Sequence, residues 1–132
     1  DNVFLGKGTM LASVDGTIDI KEDASIGCYC RIGSSKHTTI GKKALLASYV
    51  YVVGADHDST RTDIPVIDQP NVSRGGATIG DGTWLGTKST VLDGISVGHD
   101  CIVGAHSLVT KEVPDFSVIV GSPARIIRDR RD

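Results

Sequence analysis

An aliphatic residue recurs at every sixth position through the second half of this chain: Ile79, Leu85, Val91, Val97, Val103 and Val109. Glycine follows at Gly80, Gly86, Gly98 and Gly104, and four residues after each anchor stands Thr83, Ser89, Ile95, Cys101, Ser107 or Val113. Six is not a multiple of 3.6, so no helix could keep these residues on one face. Short strands joined by tight turns can, with the aliphatic side chain inward and a small one at the corner. Three hexapeptides then close one triangular coil, and coils stack as parallel strands at roughly 4.8 Å. The expectation is an all-β solenoid in which each coil is stabilised by its neighbours. The same phase appears at Val14, Ile20, Ile26 and Ile32, shifts near Lys36 and His37, and resumes at Ile40, Leu46 and Val52.

Composition supports many turns and one modest core. The 132 residues include sixteen glycines and only 5% aromatics, and we read 1–132 as a single domain. A formal charge of −2 gives no reason to expect nucleic acid as a partner. No apolar run approaches the length needed to span a bilayer. Cys28, Cys30 and Cys101 cannot all pair within one chain, which favours a reducing cytoplasm. Because the chain starts at Asp1 rather than Met, we expect a further segment before it.

Two segments leave the rhythm. Between Val52 and Ile79 lies GADHDSTRTDIPVIDQPNVSRGGAT, polar and interrupted by Pro65 and Pro70. We read it as a loop leaving the prism at about residue 57 and returning near residue 77, and long excursions from a repeat scaffold are usually functional. After Pro114 the tail, about residues 115–132, reads as a short return strand, a turn at Pro123 and a basic segment of helical character. It gathers Arg125, Arg128, Arg130 and Arg131, a local site for an anion.

His57 opens the loop, and its surroundings carry a resemblance. GADHDST, IPVIDQP, ATIGDGTWLGTKSTVLDGISVGHDCIVGAHSLVTKEVP and IVGSPARII occur in that order. Together they resemble the hexapeptide-repeat acetyltransferases, in particular the maltose, galactoside and related sugar O-acetyltransferases. The spacing alone does not fix the hand of the coil, since ordinary parallel crossovers are right-handed; the resemblance implies a left-handed parallel β-helix. It also implies an acetyl-CoA-dependent O-acetyltransferase acting on a sugar or surface-glycan precursor, without a metal, as a homotrimer with active sites between subunits. His57 matches the family's general base, which removes the hydroxyl proton as that hydroxyl attacks the thioester directly, without an acyl-enzyme. Neutral imidazole suits that task near physiological pH. By match, Trp84, Gly86, Thr87, Ala105, Thr110, Lys111, Arg125 and Arg128 bind the donor. Trp84 would pack on the pantetheine arm, Ala105 would act through its backbone, and the arginines would meet phosphate. A backbone N–H near Gly86 or Thr87 would stabilise the oxyanion. Asp56 and Asp58 adjoin His57, and sequence alone does not say whether either orients it.

The remaining candidates read as structural. Cys30 and Cys101 fall at small inward positions, and Cys28-x-Cys30 lacks the spacing of a zinc site. His37, His99 and His106 occupy irregular or outward positions, and Arg130 and Arg131 read as solvated. Two other functions stay open. The same fold could acetylate an amine or a serine-type hydroxyl. It could serve as a non-catalytic scaffold. A metal hydratase resembling the γ-class carbonic anhydrases needs three ligand histidines, two close together after the first, and no pair here has that relation. Where close sugar acetyltransferases carry an Asn-rich stretch upstream of the histidine, this chain has GCYCR (27–31), so its acceptor pocket departs from theirs.

Overall fold

A computed structural model describes all residues, 1–132. Three parallel sheets form the sides of a prism. The first face stacks Phe4–Leu5, Ser25–Ile26, Leu45–Leu46, Trp84–Leu85, Ile102–Val103 and Ser117–Gly121. The second stacks Met10–Ser13, Arg31–Ser34, Tyr51–Val52, Thr90–Val91 and Leu108–Val109. The third stacks Thr17–Ile20, His37–Ile40, Thr78–Ile79 and Ser96–Val97, with Val113 bridging to Val97.

Register follows the repeat. Leu46, Leu85 and Val103 lie in line on the first face, Val52, Val91 and Val109 on the second, and Ile40, Ile79 and Val97 on the third. All nine side chains belong to one buried core. The corner positions are filled by small residues: Ala24, Ala44, Thr83 and Cys101 lead into the first face, and Cys30, Val50, Ser89 and Ser107 into the second. Among the polar corner residues, Thr83 both donates and accepts. Its hydroxyl donates to the Gly98 carbonyl at 2.6 Å and accepts from the Cys101 N–H at 3.0 Å.

Val14 is not the anchor the spacing suggested. It is 75% exposed in a turn, and Leu11 is the residue in register with Ile32. The path from Leu11 to Ile20 is longer than one hexapeptide, and a left-handed turn at Asp15 takes up the surplus, so an aliphatic residue of correct phase falls outside the core. The smaller surplus before Ile40 falls at Ser35 and Lys36, while His37 already begins the strand.

The tail is not helical. Ala124–Asp129 turns back after Ser122–Pro123 and pairs antiparallel with Ser117–Gly121. Arg130 and Arg131 are also held rather than free. Arg130 donates to the Asp100 carbonyl at 2.7 Å, and Arg131 pairs with Asp129 while lying over the Phe116 ring.

Candidate active site

The prism opens at the corner between its second and third faces. The chain leaves after Val52 and returns at Thr78–Ile79, and the intervening segment is ordered by its own hydrogen bonds. Asp56–His57 pairs antiparallel with Asn71–Val72, placing His57 directly opposite Asn71. Asp58 N–H extends the pairing to the Pro70 carbonyl at 2.9 Å. His57 thus sits in a short ladder rather than on a free strand of loop.

Two side chains that sequence reading missed hold this arrangement. Gln69, almost fully buried, closes the loop on itself: its Oε1 accepts from Arg61 N–H, and its Nε2 donates to the Arg61 and Ile64 carbonyls. That closure supports the short 3-10 turn Val66–Asp68, which brings Val66 and Ile67 beside His57 in a shallow cleft of about 300 Å³. Asp93 takes hold of the returning limb, as described below. Neither could have been found by pattern: Gln69 sits in a polar loop, and Asp93-Gly94 reads as an ordinary hexapeptide turn.

The carboxylates flanking His57 face elsewhere. Asp56 pairs with Arg74 at 3.4 Å across the ladder. Asp58 accepts the Thr60 N–H at 2.9 Å, and hydrogen bonding from Thr60 holds its carboxyl below the usual carboxylate range.

The donor candidates divide between two corners. Asp56, Arg74, Asp93 and Thr110 line one cleft of about 360 Å³ at the root of the loop. Thr110 also lines a second, of about 210 Å³, together with Lys111 and Arg125. Thr110 borders both clefts, one at the root of the loop and the other beside Lys111 and Arg125. Trp84, Gly86, Thr87 and Ala105 instead lie on the first face and at its corner with the second. Within one chain they are not brought beside His57. Trp84 is 46% exposed, and Thr87 is fastened through its hydroxyl to the Ser48 carbonyl at 2.6 Å. Gly86 N–H is committed to the Val103 carbonyl at 2.8 Å. Arg128, exposed opposite Val118, lines neither cleft.

The remaining titratable groups separate cleanly. Burial pushes the Cys30 and Cys101 thiols above their usual range, and all three cysteines are unpaired. His99, by contrast, is bracketed: Nδ1 meets Asp100 at 2.9 Å and Nε2 meets Asp115 at 3.0 Å. The hydrogen bond with Asp100 raises its pKa above the ordinary histidine value. No three His, Cys, Asp or Glu side chains converge as a metal would require, and no helix is long and apolar enough to cross a membrane.

Known proteins share this design. The family described as "Bacterial transferase hexapeptide (six repeats)" matches residues 76–111. An Escherichia coli K12 protein named for O-acetyl transfer in lipopolysaccharide biosynthesis, WbbJ, is 33% identical over 97% of this chain and 69% of its own length. A Mycobacterium tuberculosis protein named as an acetyltransferase is 29% identical over 98% of this chain, which spans 43% of that relative's length. Among solved structures, a hexapeptide-repeat acetyltransferase of Vibrio cholerae complexed with acetyl coenzyme A superposes with a TM-score of 0.79 at 25% identity, over 98% of this chain and 72% of that one. This chain belongs to the hexapeptide-repeat acetyltransferases, and its prism is the left-handed parallel β-helix of that family.

Proposed function

We propose that this chain transfers the acetyl group of acetyl-CoA directly to a hydroxyl of a sugar or glycan precursor, with His57 as general base. The observation that carries the reading is the pair of clefts sharing Thr110. One lies at the root of the His57 loop and the other beside Lys111 and Arg125, so a donor laid across Thr110 would bring its thioester toward the loop and its phosphates toward the cations. The Vibrio cholerae structure, solved with acetyl coenzyme A, supports the donor. The lipopolysaccharide relative supports a sugar-bearing acceptor.

In the proposed reaction the acceptor hydroxyl loses its proton to the imidazole as its oxygen attacks the thioester carbonyl. The tetrahedral oxyanion is met by a backbone N–H, for which Thr87 is our candidate. Collapse expels the coenzyme A thiolate, which takes the proton back from the imidazolium. Val66 and Ile67 line one side of His57.

We further propose a homotrimer in which Trp84 of one subunit approaches the His57 loop of the next. Outward positions on the first face include Phe4, Leu45 and Trp84, and on the second Met10 and Tyr51, all exposed in the single chain. The third face instead turns Thr39, Thr78 and Ser96 outward. Two apolar sides and one polar side fit cyclic closure about an axis. Three unpaired thiols fit a reducing compartment.

The test is His57→Ala, assayed by thiol release from acetyl-CoA across a panel of sugars and nucleotide sugars. Turnover should fall by about 10²–10⁴-fold, mainly in kcat, because proton removal matters in the transition state. Donor binding and assembly should persist. Near-normal turnover on a confirmed acceptor would sink the mechanism.

A further inference from the structure

Asp93 is 2% exposed yet carries a carboxylate, and no step proposed above uses it. Both of its oxygens are engaged by the limb that returns from the loop. Arg74 N–H donates to Oδ2 at 2.6 Å, and Gly76 N–H donates to Oδ1 at 2.9 Å. Elsewhere on this corner, a coil hydrogen bonds to the backbone of the coil above. Here the excursion takes the place of the regular turn, and the Asp93 side chain, rather than the backbone of its own turn, accepts the hydrogen bonds from the limb.

The surroundings leave the limb little freedom. Gly76 has φ +92, and a side chain there would collide with the His37 carbonyl, so the limb passes tight against the preceding coil. On the other side, a Cβ at Gly94 would meet the Arg74 carbonyl at 2.8 Å, so the limb also lies flush on the Asp93-Gly94 turn. From Arg74 two connections run to His57. The backbone continues through Ser73 to Asn71–Val72, which pairs with Asp56–His57. The Arg74 guanidinium also reaches Asp56, the neighbour of His57.

We propose that Asp93 is a positioning residue for acetyl transfer: it fixes the returning limb and, through the two-residue ladder, the place of His57. The proposal rests on the reading of His57 as general base. A ladder of two residues per strand has little stability of its own, so an anchor in the prism must define where it stands. A displacement of about 1 Å at a reacting group can cost about 10² in rate.

The experiment pairs Asp93→Asn, which keeps the shape and one acceptor, with Asp93→Ala, each alone and combined with His57→Ala. Backbone hydrogen exchange is read at Asp56, Asp58 and Val72, whose N–H groups face across the ladder, alongside kinetics. In Asp93→Ala these amides should lose protection and kcat should fall about 10²-fold, while KM for acetyl-CoA stays within about twofold. Asp93→Asn should fall between wild type and Asp93→Ala. Adding Asp93→Ala to His57→Ala should cause little further loss, because Asp93 acts through the imidazole. Unchanged protection in a folded Asp93→Ala protein would overturn the proposal, as would an equal rate loss in the His57→Ala background. If His57→Ala is nearly normal, the base assignment fails; lost ladder protection in Asp93→Ala would then leave only the clamp standing.

Discussion

Replacing Thr83 with valine removes two hydrogen bonds at nearly constant shape. The hydroxyl lies at a fully buried corner between Gly98 and Cys101. Valine would leave the Gly98 carbonyl and the Cys101 N–H without the partner this hydroxyl provides. A polar group left buried and unsatisfied costs about 1–3 kcal/mol, and relaxation recovers part of it, so the pair should cost about 2–4 kcal/mol. For a chain of this length that is a fall in Tm of about 8–16 °C. The molecule contains its own control. Thr9 makes the same two bonds one end away, donating to the Gly27 carbonyl at 2.7 Å and accepting from Cys30 N–H at 3.2 Å. Thr9 is only half-buried, so water can replace the hydroxyl, and Thr9→Val should cost about 1 kcal/mol or less. Calorimetry at one fixed protein concentration compares the two, since assembly makes Tm concentration-dependent. Equal losses from Thr9→Val and Thr83→Val would refute the argument that burial sets the cost.

Three other outcomes are open to direct measurement. Arg125→Ala should weaken acetyl-CoA binding by about 10-fold or more through loss of a charged hydrogen bond, and Arg128→Ala by less, because only Arg125 lines a cleft; calorimetric titration giving equal effects would move the phosphate end elsewhere. Ellman's reagent in the native protein should modify Cys28 first, since Cys30 and Cys101 are buried and their thiols are pushed up by burial. Protonated His99 stabilises the folded form, so its contribution should be full below the ordinary value of 6.5 and fade as pH rises through its raised pKa; the Tm gap between wild type and His99→Gln should close over that rise and shrink in salt, and a gap unaffected by pH would count against the Asp100–His99–Asp115 bracket.

The six-residue period made the prism legible because inward columns are set by one variable, the phase of the aliphatic residues. Ile40, Leu46, Val52 and the run from Ile79 to Val109 all stand where that phase puts them. Val14 shows the limit: extra residues at a corner change the phase without changing the composition, and only pairing with the next coil reveals that Leu11 is the inward residue. The tail misled for a related reason, since an apolar-basic segment such as ARIIRD suits a helix or an edge strand, and its partner strand decided. Chemistry was harder to place than packing. Successive hexapeptides occupy different faces, so Trp84 and Thr110, both matched to the donor site, stand on different sides of the prism. Asp93 was hidden because its role depends on a segment that returns from outside the repeat.

The antiparallel return of Ala124–Asp129 has a consequence for solubility. A stack of parallel coils exposes at its end a row of unpaired backbone groups on every face, a template on which a second molecule could continue the winding. On the first face that row belongs to a strand running the wrong way for another parallel coil and flanked by Arg125, Arg128 and Asp129. A coil cannot add at this end in register on all three sides. The hairpin therefore closes this edge of the first face to a further parallel coil, and removing residues 122–132 should leave the Ser117–Gly121 edge unpaired and raise aggregation.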